Sequence, residues 1–277
     1  MPDYIEKKFT ASTVQLNYAE GPENGPPMLL IHGITGRWGE WGSVLDQFAA
    51  NWHVYAIDLR GHGDSGRVAG GYRYGDYHTE IVEFLQEVIS EPAYLVGHSL
   101  GGIATATVCN TDPELVAAGV MEDPPFYIRE WFDESNFAPR FKATLELCKK
   151  NLNLRDTALE LRKMDADSPD EMIVFRALSL MNVDSEAIEF AIDSRSDEGL
   201  SADEVLSGIK TPMLLIQANP DSGGALRDVE ATRAVDLLEH GRHVKWDDVG
   251  HGMHNGAPER FVQLVNAFFK QTIRKRG

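Results

Sequence analysis

The sequence is poor in cysteine and contains no long run of apolar residues. Only Cys109 and Cys148 occur among 277 residues, and no Cys-x-x-Cys spacing is present. This excludes a disulfide-stabilised scaffold and predicts two packed thiols in a reducing compartment. No segment approaches the roughly 20 apolar residues of a membrane span. Residues 1–10 are polar and lack the apolar stretch of a secretory signal, so we expect a cytoplasmic protein without a membrane partner.

Positive charge is also scarce. The chain has 26 Lys and Arg against 43 Asp and Glu, which gives a formal net charge of −17 and a pI near 4.9. Nucleic-acid binding needs clustered Lys and Arg. The one basic cluster, residues 270–276, is typical of a solvated tail, so we expect no nucleic-acid partner.

Short apolar runs alternate with helical patterns along most of the chain, which predicts an α/β fold. Two segments with alternating polarity, residues 4–10 and 13–18, predict an edge hairpin. Apolar runs typical of buried strands follow at residues 28–31, 54–57, 93–96, 115–121 and 212–216, and a further strand is predicted at residues 242–246. Helical patterns between these runs indicate a mostly parallel sheet of eight strands with helices on both faces, and ligands then bind at the carboxyl ends of the strands.

The alternation stops between residues 125 and 200. Pro124 and Pro125 cannot continue a central strand, and short amphipathic segments follow. We therefore predict a core domain, residues 1–124 and 201–277, with a helical cap inserted at residues 125–200. The aromatic residues of the cap suit a lid over an apolar substrate, although about half of them could instead form the core of the cap. They are Phe126, Trp131, Phe132, Phe137, Phe141 and Phe175.

The most informative motif is Gly97-His98-Ser99-Leu100-Gly101, which lies between a predicted strand and a predicted helix. A turn that passes directly from strand to helix strains its central residue and needs small neighbours, because backbone approaches closely. Ser99 would then stand at the positive end of the helix, beside the Leu100 N–H. This context favours Ser99 as a nucleophile over an ordinary glycine-rich turn.

The loop after the strand at residues 28–31 is the second candidate for chemistry. Acyl transfer needs two backbone donors aimed at the developing oxyanion. We assign the N–H of Ile34 as the partner of the Leu100 N–H, although a tight turn without such a role remains an alternative. We predict that the substrate pocket includes His32, Gly33, Trp38, Phe126 and Trp131.

Ser99, Asp221 and His251 each follow a predicted strand and should therefore meet at one sheet edge. A serine hydroxyl needs an imidazole to take its proton, and the imidazole needs a carboxylate to fix its tautomer. The chain order Ser, Asp, His is the one expected for a nucleophile elbow in an open α/β sheet.

With these motifs, the chain resembles the α/β-hydrolase superfamily, in its small cap-bearing branch. The resemblance covers essentially the whole length, including His32-Gly33, the glycine-rich loop at residues 58–65, the Ser99 motif and Gly250-His251. It implies a Ser-Asp-His triad that hydrolyses an ester, a lactone or a similar acyl bond without a metal or organic cofactor. The serine also argues against members that use an aspartate nucleophile.

The acid of the triad is the least determined residue. Similar family members usually carry it where Asp221 lies, and some carry it where Glu122 lies; Asp123 and Asp228 are further candidates. His251 and the nearby His254 could hold a metal, but no third ligand is evident, so we predict no metal site.

Two other functions stay open. Similar triads on this fold cleave carbon–carbon bonds in ring-fission diketones or run perhydrolysis, and a receptor could use the pocket for binding alone. We expect a small-molecule partner, an apolar ester or lactone. Its identity depends on how the cap docks, which the sequence does not reveal, and the oligomeric state is equally hidden.

Overall fold

A computed structural model describes residues 4–193 and 195–276 and contains one eight-stranded sheet with the order β1-β2-β4-β3-β5-β6-β7-β8. The hairpin partner β2 runs antiparallel to β1 and β4, and all other neighbours are parallel. The predicted fold class is confirmed. The strands are β1 (Ile5–Thr10), β2 (Gln15–Glu23), β3 (Pro27–Ile31), β4 (His53–Ile57), β5 (Ala93–His98), β6 (Val116–Glu122), β7 (Met213–Gln217) and β8 (Gly241–Lys245).

Helices follow most of the parallel strands. They are α1 (Leu45–Ala49), α2 (His78–Phe84), α3 (Leu100–Thr111), α4 (Phe137–Lys149), α5 (Leu154–Met164), α6 (Asp170–Met181), α7 (Ser185–Ile192), α8 (Ala202–Gly208), α9 (Asp228–Leu237), α10 (Met253–Gly256) and α11 (Pro258–Arg276). Residues 74–89 form a 3₁₀ turn, α2 and a final π-helical turn. Within the described ranges, no helix is long and apolar enough to cross a membrane.

Apolar side chains cover both faces of the sheet, as a mostly parallel sheet requires. Leu29 and Ile31 of β3 belong to one buried cluster, and Met28 and Leu30 belong to the cluster on the opposite face. This two-sided burial fixes the register of β3 and its neighbours, and with it the edge where their carboxyl ends meet.

Strand β2 continues to Glu23 and pairs there with His53 after a register shift, so the connection from β2 to β3 is short. The chain leaves the sheet after β6 and returns at β7. Helices α4 to α7 lie in this insertion, and α4 to α7 share a buried cluster of their own that includes Leu145, Leu161 and Ile188. The insertion is helical as expected, while the domain bounds at residues 124 and 200 stay a prediction.

Candidate active site

Ser99 lies on a strained turn between β5 and α3. Its φ is 52° and its ψ is −115°, a left-handed φ that a non-glycine residue rarely adopts. A Cβ on Gly97 would lie 2.0 Å from the carbonyl oxygen of Gly101, and a Cβ on Gly101 would lie 2.0 Å from that of Ile31. Both glycines are therefore required, and the turn holds the Ser99 side chain at the carboxyl edge of the sheet.

Two backbone segments approach Ser99. Leu100 is the first residue of α3, where backbone N–H groups have no partner within the helix. Ile34 lies on the loop after β3, and both Leu100 and Ile34 line the cavity that contains Ser99. A Cβ on Gly33 would lie 3.1 Å from the Ser99 Cβ, so only a glycine lets this loop pack so closely.

His251 lines the same cavity and is oriented by a buried carboxylate. Its Nδ1 donates to Oδ2 of Asp123 at 2.7 Å, which leaves Nε2 free of the proton and able to act as a base. Asp123 has no exposed surface and also accepts hydrogen bonds from the backbone N–H groups of Ala218 and Ala225. Burial, opposed by the Asp123 carboxylate, lowers the pKa of His251 below its usual value.

The structure does not bring Asp221 to His251. Asp221 is exposed in a 3₁₀ turn, where its backbone N–H donates to the Asn219 side chain. Glu122, the alternative acid, is buried but accepts hydrogen bonds from the backbone N–H and the Nδ1 of His254. Asp123, which sequence reasoning ranked behind both, takes the position beside His251.

A buried network of histidine and glutamate lies behind the imidazole. Nδ1 of His98 contacts Oε1 of Glu40 at 2.6 Å, and Nε2 of His98 donates to the backbone carbonyl of His251 at 3.1 Å. Because both partners are acceptors, both nitrogens carry protons. Burial opposes this charge, but Glu40 and Glu122 outweigh it and raise the pKa of His98 to about 9. His98 thus tethers the loop of His251 as a buried cation.

The pKa of Glu40 is depressed in return. Burial alone would raise it, and the attraction of His98 lowers it to about 2. Atoms of Glu40, His98 and His254 that could ligate a metal lie within 4.8 Å of one another. The His98–Glu40 hydrogen bond would have to break to admit an ion. In the structure, these three side chains therefore act as hydrogen-bond partners.

The cavity has a volume of about 230 Å³, and residues of the cap form part of its wall. Phe137, Phe141, Phe132 and Phe175, all expected to lie over a substrate, do line it. The Phe137 ring contacts the His251 ring edge-on, with centroids 5.3 Å apart.

Residues predicted for the pocket from the core domain lie beside the cavity or beneath it. His32 is fully buried: Nδ1 contacts the Gly33 carbonyl, and Nε2 accepts the Leu59 N–H at 2.9 Å. These bonds stabilise the loop and do not face the substrate. Trp38 packs on the core, and its backbone N–H donates to Asp58. Gly33 contacts Ser99 and makes room for it.

The two cap residues predicted for the pocket also lie outside it. Phe126 is buried in the core cluster, because the chain folds back onto the sheet directly after the two prolines. Trp131 lies under the guanidinium of Arg227, 5.0 Å from the ring centroid. Proximity in sequence to the end of β6 was a poor guide to cavity position.

Several lining residues were not foreseen. They are Tyr72, Tyr74 and Tyr77 before and within the first turns leading to α2, Glu40 on a 3₁₀ turn, and Arg140 and Arg176 on the cap. Arg140 follows Phe137 by three residues and precedes Thr144 by four, and all of these line the cavity. That helical spacing was the signal that could have found it.

Comparison with known proteins agrees with the fold. Residues 28–264 match the model of the alpha/beta hydrolase family. An (E)-2-((N-methylformamido)methylene)succinate hydrolase from Acinetobacter baylyi is 25% identical over 90% of this chain and 92% of the relative. A 2-(acetamidomethylene)succinate hydrolase from Mesorhizobium japonicum is 32% identical, but the match spans only 45% of each chain.

Solved structures have the same fold at low sequence identity. The crystal structure of an E-2-(acetamidomethylene)succinate hydrolase has a TM-score of 0.80 at 21% identity and covers 97% of this chain and 100% of that one. An enol-lactonase from Burkholderia xenovorans LB400 has a TM-score of 0.75 at 15% identity, with 95% and 100% covered. Because the family model spans most of the sequence, the chain belongs to the alpha/beta hydrolase family.

Proposed function

We propose that the protein is a serine hydrolase with Ser99 as nucleophile, His251 as general base and Asp123 as the acid that orients His251. The observation that carries this proposal is the His251–Asp123 hydrogen bond of 2.7 Å beside the cavity where the strained turn presents Ser99. A hydroxyl placed with an oriented imidazole is activated for attack on a carbonyl.

The reaction follows from these positions. Ser99 Oγ attacks the acyl carbon and passes its proton to Nε2 of His251, while the N–H groups of Ile34 and Leu100 bind the oxyanion. His251 returns the proton to the leaving group, and an acyl-enzyme remains. Water, deprotonated by His251, then releases the carboxylic acid and restores Ser99.

An ester or a lactone is the substrate that we propose first. The enol-lactonase among the structural neighbours is named for a lactone substrate, and it shares the fold of this chain. Two relatives are named for succinates that carry an acylated amino group, which favours an amide bond as a second candidate. The same triad chemistry serves both bonds, and the two free thiols fit a cytoplasmic enzyme.

Labelling with a fluorophosphonate probe tests the nucleophile directly. The probe should modify Ser99, and Ser99→Ala should abolish both labelling and ester turnover while the protein stays folded by circular dichroism. Ser196 is a matched control because it is also buried and lines the same cavity. Ser196→Ala should keep the label, since no imidazole activates that hydroxyl. Labelling that persists in Ser99→Ala would contradict the proposal.

A panel of esters, lactones, N-acyl enamines and ring-fission diketones then separates the candidate reactions. Preferred turnover of a diketone, or peracid formation with hydrogen peroxide, would favour the carbon–carbon hydrolase or perhydrolase alternatives. A protein that Ser99-directed probes fail to label, but that binds small acids, would instead be a receptor.

A further inference from the structure

Two arginines of the cap line the cavity that contains Ser99 and His251. Arg140 lies on α4, and Arg176 lies on α6. We propose that Arg140 and Arg176 bind a carboxylate of the substrate, so that the enzyme hydrolyses acyl compounds that carry an acid group. This inference rests on the proposed function and names its substrate class.

Arg140 has no counter-ion of its own. In the described part of the chain, no acceptor forms a hydrogen bond or a salt bridge with its guanidinium. The surrounding protein and the charge of Arg176 both lower its pKa, and Asp165 compensates only in part. The side chain is nevertheless exposed to solvent. A side chain in the wall of a cavity is surrounded by protein, which lowers its pKa, and still exposes surface to the cavity.

Arg176 is held in place and keeps free donors. Its Nη1 donates to Oδ2 of Asp165 at 2.8 Å, and its side chain is 21% exposed. One bond to Asp165 occupies one of the five N–H donors of a guanidinium, so others remain for a ligand. Planar guanidinium groups pair with carboxylates through two parallel hydrogen bonds, which makes arginine the residue suited to this ligand.

The spacing along α4 places Arg140 near the reacting atoms. Phe137, Arg140, Phe141 and Thr144 all line the cavity and form one face of the helix. Phe137 contacts the ring of His251, and Arg140 lies three residues further along the helix. The rise between them is about 4.5 Å. A small substrate can therefore place its acyl carbon at Ser99 and an acid group at Arg140.

Charge supports a carboxylate more than a neutral ligand. The net charge of −17 repels small anions from the protein as a whole. An anion can therefore bind only where positive charge is concentrated locally, as it is at Arg140 and Arg176. Glu40, the acidic side chain of the lining, already contacts His98. Two neighbouring guanidinium groups repel each other when the cavity is empty of anions. A bound carboxylate removes that repulsion, so the pair favours an anion at this position specifically.

Two esters with the same skeleton test the inference. 4-Nitrophenyl hydrogen succinate carries a free carboxylate, and 4-nitrophenyl methyl succinate carries none. We expect kcat/KM to favour the free acid in the wild type. A hydrogen bond to a charged group implies that Arg140→Gln lowers the ratio of the two kcat/KM values about tenfold or more. Arg140→Lys, which keeps the charge but loses the fork, should recover part of that ratio.

Arg155→Gln is the matched control, since Arg155 is an exposed arginine of the same cap outside the cavity lining. It removes the same charge and should leave both esters unaffected. If Arg140→Gln lowers kcat/KM equally for both esters, or if Arg155→Gln matches it, the carboxylate site is refuted.

A binding measurement separates this inference from the proposed function. Succinate is titrated calorimetrically into Ser99→Ala, which cannot turn over and keeps both arginines. We expect binding that weakens about tenfold or more when Arg140→Gln is added. If succinate binding depends on Arg140 but the wild type shows no Ser99-dependent turnover, the carboxylate site is supported and the proposed hydrolase function is refuted. An active hydrolase whose affinity for succinate is independent of Arg140, or that prefers inorganic phosphate, would refute the carboxylate site alone.

Discussion

Replacing Asp123 with asparagine is the sharpest test of the proposed triad. The carboxylate accepts three hydrogen bonds: Oδ2 accepts from His251 Nδ1 and the Ala225 N–H, both at 2.7 Å, and Oδ1 accepts from the Ala218 N–H at 3.2 Å. Asparagine has one acceptor oxygen and one donor group. Whichever way the amide turns, its NH₂ group faces a backbone N–H or the Nδ1–H of His251.

The two orientations predict different balances of damage. An amide that points its NH₂ at His251 forces the proton onto Nε2, and the base is lost. A comparable substitution in a serine protease lowers kcat about 10⁴-fold, which corresponds to about 5.5 kcal/mol of transition-state stabilisation. An amide that points its NH₂ at the backbone keeps the tautomer but leaves a buried donor unpaired, at a cost of about 1–3 kcal/mol in stability. We therefore expect kcat for a 4-nitrophenyl ester to fall by about 10³-fold or more, with a modest loss of unfolding free energy.

Asp221→Asn and Glu122→Gln are measured beside it. Asp221 is exposed and contacts no catalytic group, so its replacement should leave kcat within about twofold of wild type. Glu122→Gln removes a charge that contacts His254. It should therefore lower the free energy of unfolding and have only a small effect on the pKa of His251. Stopped activity in Asp221→Asn with full activity in Asp123→Asn would refute the assignment and restore the acid that the sequence suggested.

Three further outcomes follow from the geometry. Gly97→Ala should prevent stable folding or cost about 3 kcal/mol or more in a denaturant titration, because its Cβ would overlap backbone, whereas Gly75→Ala, with open space around it, should be nearly neutral. The acid limb of kcat/KM should have a midpoint below 6.5, because burial lowers the pKa of His251 and activity needs the neutral imidazole; a midpoint above 6.5 would contradict this. Glu40→Gln should lower the free energy of unfolding most between pH 4.5 and 6.5. The depressed pKa of Glu40 stabilises the fold above pH 4.5 and ceases to do so as pH falls towards about 2, and the raised pKa of His98 stabilises it below pH 6.5 and ceases to do so as pH rises through about 9. Denaturant titrations across that range that show a constant difference would contradict the ion pair.

The sheet and the nucleophile turn were predictable because their determinants are local. Buried strands appear in the sequence as apolar runs. Ser99 lies between Gly97 and Gly101, and the turn needs both because a side chain at either position would overlap backbone. Each of these features depends on a few neighbouring residues. The structure accordingly contains β5, the turn and α3 within a few residues of the predicted bounds.

The acid of the proposed triad was harder to predict, because a shift of one residue decides which carboxylate contacts His251. Adjacent residues of a strand point to opposite faces, and Glu122 and Asp123 are adjacent at the end of β6. β6 includes Glu122, so its side chain turns to His254, while Asp123 follows the strand with a φ of 45° and turns to His251. Strand ends cannot be placed to one residue from sequence alone. The family pattern at Asp221 therefore outweighed Asp123, the residue that contacts His251.

The pocket was missed for a different reason, since cap docking is a long-range event. The helical spacing of Phe137, Arg140 and Phe141 shows that they share a face of α4, but not whether that face meets the core of the cap or the cavity. Arg140 is exposed to solvent, and within the described residues no acidic side chain forms an ion pair with it. A guanidinium beside two phenylalanines on one helix face fits either a solvated surface or a cavity wall, and only the docked cap shows that this face lines the cavity.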